Sequence, residues 1–310
     1  MNTTTQDKEI KMGRYANLLY DETFKLVVAA EGNESLVLEI LRLLLPELHI
    51  ASVRFMDRER HGFAISEKNV TFDLYCTDES GERFIVEMQH ASQSHFADRM
   101  LFYSTFALRE QLETKMRERR EQLRRGQPAP PVDYSLLPVY VVGILNFSIP
   151  HRDAGALTEG LVSRYELLNT GNGERMTGAL TFLFLELGRL GIGPKEPQRC
   201  VTLLEKFAWS MRYMHEVEEK PEGFEDSLLG LLYGKSEFAN MTVGQQEAYD
   251  RIMTTDIDIE NQIAYARRTG REEGEAAGKA EVARAMKAAG LSAEEISKFT
   301  SLTPEQVETL

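Results

Sequence analysis

The sequence predicts a mixed α/β sheet followed by a helical C-terminal half, and three stretches carry that reading. NESLVLEILRLLLPELH places apolar residues at helical spacing, and the two runs on either side of TDESGE alternate apolar and polar residues as half-buried strands do. LLPVYVVGILNFS is an almost unbroken apolar run with Val and Ile, the signature of a strand covered on both faces. Helices that cover both faces of such a strand make a layered α/β body.

Taken in order, Asp21 to Leu45 reads as one long helix or two broken ones, ended by Pro46. IASVRFMDRE is a strand leading into a hairpin whose arms are Val70 to Cys76 and Arg83 to Gln89, both rich in β-branched and aromatic residues. The helical period returns in SHFADRMLFYSTFALREQLETKMRERREQLRR and is closed by the loop GQPAPPVDY. The buried strand LLPVYVVGILNFS follows, with further strands at GLVSRYELLNT and ALTFLFLEL. QRCVTLLEKFAWSMRYM and most of the remainder are helical. The expected organisation is an α/β domain over 1–190, a helical extension over 191–265 and a helical tail over 266–310.

In the tail, Gly270, Gly274 and Gly278 fall on one helix face and permit close approach of a partner helix, a spacing best documented in membranes. Gly290 with Ser292, and Ser301 with Thr303 before Pro304, mark helix ends and starts, so two short helices follow. Such a tail can dock on DNA, join subunits into a homo-oligomer or simply pack. From Gly270 on, acidic residues outnumber basic ones, which favours joining or docking over reading a DNA sequence.

Composition sets outer bounds. A chain of 310 residues with 42% hydrophobic content can bury a large core as two units or one domain with additions. No apolar run approaches membrane-spanning length and the first residues lack the apolar core of a signal peptide, so the expectation is a cytoplasmic protein with no membrane partner. The net charge of −13 argues against coating nucleic acid through a general positive field, but leaves room for a local basic face. RERREQLRRG, Arg117 to Gly126, is such a candidate or a solvated helix end. Cys76 and Cys200 are far apart and lack companions at ligand spacing, so neither a disulfide framework nor a zinc site is supported and small core residues are the expectation. No serine or cysteine nucleophile arrangement and no GxxxxGK phosphate loop is present.

The hairpin holds the chemistry. With Glu79-Ser80-Gly81 as a three-residue loop and Gly81 left-handed, residues whose numbers add to 160 face each other, which sets Asp73 opposite Glu87. Alternation puts Ile85, Glu87 and Gln89 on one face and Phe84, Val86 and Met88 on the other. Like charges with Cβ atoms roughly 4.5–5.5 Å apart destabilise a bare sheet. Either a divalent cation such as Mg²⁺ compensates them, or both acids lie on the solvated face of an edge hairpin.

With those residues in view, the order helix, three strands, helix, strand, with Asp73 on the middle strand and EMQ at Glu87 to Gln89 on the next, resembles the restriction-endonuclease-like core of the PD-(D/E)XK nucleases. YDETFKLVVA, FDLYCTDESGERFIVEMQ, DRMLFYSTF, FLFLELGRL and the glycine-punctuated tail together resemble, over most of the chain, the recombination-promoting nucleases, a group also labelled transposases. The resemblance implies Asp73 and Glu87 as ligands of Mg²⁺ or Mn²⁺, and DNA as substrate. It implies metal-dependent hydrolysis of phosphodiester bonds, linked to recombination or mobile elements. Gln89 stands where many of these enzymes carry a lysine. An amide can orient water but supplies no positive charge, so a cation must come from elsewhere.

Lys25 in DETFK, on the first helix, and Arg99 in DRMLFYS, on the helix after the third strand, are the candidates. Arg99 and Tyr103 are four apart on one helix face, so both can aim at one phosphate. A surface lysine and a core tyrosine are the plainer roles. Asp21 adds an acid to the metal shell or caps the helix, and His90 and His95 are loop histidines without a defined partner. The missing lysine also admits a different class of protein, a catalytically inactive nuclease fold used for binding or assembly. No DDE-type triad supports strand transfer.

Overall fold

The computed structural model describes residues 13–60, 70–92, 94–150 and 160–310. By contact the chain divides into two compact units, Met1–Tyr249 and Asp250–Leu310. Among the described residues no helix is long and apolar enough to cross a membrane.

The first unit opens with α1 (Asp21–Val27) and α2 (Glu34–Leu44), the two-helix version of the expected opening. The strands β1 (Val53–Phe55), β2 (Glu59–Arg60), β3 (Val70–Thr71), β4 (Leu74–Asp78) and β5 (Arg83–Gln89) follow, then the long helix α3 (Phe96–Arg124). β6 (Val139–Leu145), β7 (Val162–Glu166) and β8 (Leu180–Glu186) complete the strands, and α4 (Leu203–Tyr213) and α5 (Ser227–Ser236) the helical part. α6 (Val243–Ala288), α7 (Ala293–Thr300) and α8 (Pro304–Glu308) follow.

A six-stranded mixed sheet runs in the order β1-β4-β5-β6-β8-β7, while β2 and β3 form a separate two-stranded ladder. Helix, strands, helix, strand is therefore the observed order, and β8 and β7 widen the sheet beyond it. Pairing of β4 with β5 follows the register expected from the turn, with Leu74 opposite Val86 and Tyr75 opposite Ile85. Gly81 has φ 88°, and the Asp78 amide closes the loop on the Glu82 carbonyl at 3.1 Å. Asp78 Oδ1 also accepts from the amides of Ser80 and Glu82 at 3.0 and 2.8 Å, so the turn is braced from within.

β5 is the hinge between two kinds of pairing, antiparallel to β4 and parallel to β6, and every residue of β6 is buried. α3 lies on one face of the sheet, where Phe72, Tyr75, Ile85, Met100, Phe106, Val141, Leu145 and Phe184 pack together. The Tyr75 hydroxyl donates to Glu110 of α3 at 2.7 Å, and Gln111 ties down the following loop by bonding both the amide and carbonyl of Leu137. Farther along α3 the arginine run is solvated: Arg117, Arg120, Arg124 and Arg125 are exposed, and Arg125 pairs with Glu121. α2 packs against α4 and α5. α4 begins with a capping box between Thr202 and Glu205, and its Trp209 is fully buried with Nε1 donating to the Gly193 carbonyl at 3.0 Å.

The second unit has its own small core of Ala283, Ile296 and Val307, with Met286, Leu291, Leu302 and Leu310 against it. Gly290 has φ 88° past the end of α6, and capping boxes start both α7 (Ser292, Glu295) and α8 (Thr303, Gln306). Ser301, with φ 61°, ends α7. At Gly270, Gly274 and Gly278 no described atom lies within 4 Å of where a Cβ would stand.

One glycine shapes the ground under the hairpin. Gly143 of β6 lies between Glu87 and Phe184 in register, and a Cβ there would come 2.8 Å from the buried Phe184 ring. Gly143→Val is expected to destabilise the protein by about 1–3 kcal/mol through overpacking. Urea unfolding that gives an unchanged midpoint and slope would contradict this close approach.

Candidate functional site

Asp73 immediately precedes β4 and Glu87 lies near the end of β5, so the hairpin register carried one step further sets them face to face. Asp73 is 4% exposed and Glu87 3%, which overturns the alternative of two acids on a solvated edge. Each carboxylate is bonded to the other's strand. Met88 N–H donates to Asp73 Oδ2 at 2.8 Å, and Asp73 N–H donates to Glu87 Oε1 at 3.2 Å.

Burial disfavours the charged form of both acids. It pushes the Asp73 carboxyl up to about 6, against the opposing pull of Lys25 and of the Met88 amide. Glu87 is raised well above the usual carboxylate range, first by burial and then by the Asp73 charge. An attraction for cations follows, and one is already in place. Lys25 of α1 brings Nζ to 3.1 Å from Asp73 Oδ1, 2.8 Å from Glu22 Oε1 and 3.6 Å from Asp21 Oδ2. Burial lowers the ammonium's proton affinity, but Asp73, Glu22 and Asp21 together outweigh it and raise its pKa. Lys25 is thus drawn into the site rather than left on the surface. Asp21 is in the first turn of α1, not at its N-cap, which is Tyr20.

Gln89 is 7% exposed, and both ends of its amide are engaged. Nε2 donates to the Met88 carbonyl at 2.8 Å, and Oε1 accepts from Arg99 Nη2. The side chain therefore spans from its own strand to α3, and the group it fixes is a guanidinium. Arg99 also lies over the Tyr103 ring, with Cζ 5.8 Å from the centroid, and Tyr103 turns its edge to Phe72 at 5.7 Å. Tyr103 is half buried against the core, as its plainer role has it, and its pKa is raised by burial and then by Glu87.

Two residues that sequence reasoning missed stand nearby. Arg58, between β1 and β2, donates from Nη1 to the Asp73 carbonyl at 3.3 Å. Nothing in IASVRFMDRE separates it from the surrounding charges. Glu186 at the end of β8 is fully buried, accepts from the Ile149 amide at 2.8 Å and from the Ser163 hydroxyl, and lies beside Leu145 of β6, itself paired with Gln89. Its signal was legible as an acid ending the apolar run ALTFLFLEL.

The other candidates stand apart from the acid pair. His90 stacks on Tyr20 with centroids 4.7 Å apart, and His95 is exposed and paired with Asp98. Cys76 and Cys200 are buried free thiols whose pKa burial raises, Cys200 to about 11, so neither is a ready nucleophile.

Among the described residues no cluster of three or more His, Cys, Asp or Glu could hold a metal ion by itself. Two converging carboxylates suit a hard cation that takes one or two acidic ligands and fills its remaining positions with water and substrate phosphate, as Mg²⁺ does. The ammonium on Asp73 Oδ1 shows that a cation is accepted at that oxygen. The donor set fits.

Two consequences are measurable without substrate. Because Glu87 places a carboxylate in a buried site beside another acid, Glu87→Gln is expected to raise the melting temperature of the metal-free protein at neutral pH by a few degrees. A lower melting temperature would contradict the burial penalty. His215 is pushed down to about 4, first by burial and then by His90. Between pH 4 and about 6.5 the unfolded chain therefore binds more protons at this residue than the folded one, so stability is complete above that window and falls on acidification through it, by roughly 3 kcal/mol at most. His215→Gln should flatten that limb of a pH-dependent urea titration, and an unchanged limb would place the acid sensitivity elsewhere.

A family model described as PD-(D/E)XK nuclease family transposase matches residues 18–266. No curated protein and no solved structure matches alongside it. The match runs from before α1, through the acid pair, Gln89 and Arg99, into α6, and a mixed sheet of this kind is compatible with it. The chain belongs to the PD-(D/E)XK nuclease family transposases.

Proposed function

We propose that the protein is a metal-dependent endodeoxyribonuclease in which Asp73 and Glu87 hold Mg²⁺ or Mn²⁺. The observation that carries this reading is the buried pair of carboxylates, each fixed by the opposite strand's amide, with the Lys25 ammonium already on Asp73. A divalent ion bound there supplies Lewis-acid charge at the phosphate and a water of lowered pKa. The chain's own residues do the rest. Gln89 holds Arg99 so that a guanidinium, rather than a lysine ammonium, faces the transferred charge. Tyr103 steadies that guanidinium with its ring, and Lys25 balances Asp73 and would be available to a phosphate with a metal held there. All these residues lie in the proposed α/β domain 1–190, followed by the extension 191–265. The tail 266–310 is the proposed joint between subunits, supported by the open glycine face at Gly270, Gly274 and Gly278. The proposed location is the cytoplasm, and the family description supports a role in rearranging DNA or in mobile elements.

A second reading keeps the fold without catalysis, as a binding or assembly protein. It is favoured by one observation, the Lys25 ammonium that already neutralises Asp73.

The test combines plasmid cleavage and calorimetry. Purified protein is expected to nick or linearise supercoiled plasmid with Mg²⁺ or Mn²⁺ and not with chelator. Asp73→Asn and Glu87→Gln should abolish cleavage while remaining folded, and Arg99→Ala should slow it by about 10²-fold or more. Metal-binding heat in the wild type that disappears in Asp73→Asn supports the enzyme. Absence of heat at millimolar metal, with no cleavage, supports the binding module.

A further inference from the structure

We propose that Arg58 is a phosphate clamp for the DNA strand, mounted on the backbone of the metal-site aspartate; this rests on the nuclease reading of the same site. The segment Met56–Arg58 runs beside the start of β4 and is pinned there on both sides. Met56 N–H donates to the Tyr75 carbonyl at 2.8 Å, and Phe72 N–H donates to the Arg58 carbonyl at 3.0 Å. The guanidinium then turns back and gives Nη1 to the Asp73 carbonyl at 3.3 Å. Arg58 is thus tied to the two residues that carry the chain into the acid pair.

Its charge is handled differently from that of the site's other cations. Lys25 is surrounded by Asp21, Glu22 and Asp73, and Arg99 is engaged by Gln89 and the face of Tyr103. Arg58 is half buried, bonds one neutral carbonyl, and has no carboxylate within ion-pair distance among the described residues. A guanidinium carries five N–H donors in a rigid fork, and a partly desolvated cation without a counter-charge is an incomplete arrangement. The ligand that completes it is anionic, planar or tetrahedral, and takes two parallel hydrogen bonds, as a phosphodiester does. Because the clamp is anchored on the carbonyl of Asp73, a phosphate bound to it is positioned relative to the carboxylate on the same residue. A surface lysine on a flexible stem could not give that fixed offset.

The experiment is equilibrium binding of a short fluorescent DNA duplex in chelator, measured against salt concentration, for the wild type, Arg58→Gln and Arg58→Lys. Arg58→Gln keeps a donor for the Asp73 carbonyl but carries no charge, and is expected to lower the slope of log affinity against log salt by about 1 and to weaken binding several-fold. Arg58→Lys keeps the slope but loses the fork, with a smaller loss of affinity. Slopes equal in all three proteins would mean that Arg58 only braces Asp73, and the assignment falls while the nuclease reading stands. Failure of the wild type to bind DNA overturns both. Thermal melting of each variant confirms that the comparison is made between folded proteins.

Discussion

Two carboxylates buried against each other at the mouth of a β-hairpin are the constraint on which the rest of the site depends. Neither is solvated, burial disfavours ionisation of both, the Asp73 charge adds to it at Glu87, and the fold brings the Lys25 ammonium to the Asp73 carboxylate and the Arg58 guanidinium to its backbone carbonyl. An arrangement of that kind is poor for stability, since well-packed apolar residues would fill the same volume at lower free energy. Under the proposed metal binding, a bound cation would return what folding gives up.

The division of labour around the acids follows from the amide at position 89. A lysine there would deliver its own charge from the strand. Gln89 instead reaches across to α3 and fixes Arg99, so position and charge come from two residues on two elements. The cost is dependence on the packing of α3 against the sheet, through Phe72, Tyr75, Met100 and Phe106, to keep strand and helix in register. The gain is a planar fork in place of a point charge, a better match to a phosphate's paired oxygens.

Much of this was legible in the sequence because it is local. The Asp73–Glu87 opposition came from one glycine and the alternation of two short runs, and the register of Tyr75 with Ile85 agrees with it. The capped helices of the tail were equally readable from Ser292, Thr303 and Gly290. What the sequence left open is what tertiary contact decides. Alternation says that two acids share a face but not whether α3 covers it. Neither Arg58 nor Lys25 differs in its neighbours from any surface cation, and only the path of the chain past Phe72 and the placement of α1 bring them to Asp73. The engagement of both ends of Gln89 was invisible for the same reason, since Arg99 sits on a different element, α3, and only the packing of that helix on the sheet brings it to the amide.

The acids also do structural work that bears on how their chemistry should be judged. The β4–β5 ladder ends at Leu74 and Val86, so the amide of Met88 and that of Asp73 have no strand partner there. The Asp73 and Glu87 carboxylates take those two hydrogen bonds themselves. A buried N–H left without an acceptor costs about as much as a lost hydrogen bond, so truncation to alanine removes a proposed metal ligand and orphans an amide at once. Asparagine and glutamine keep an acceptor for the opposite strand while discarding the charge. A loss of function in those variants can therefore be assigned to the absent charge, because the edge of the hairpin that positions Arg58, Gln89 and Arg99 is still closed.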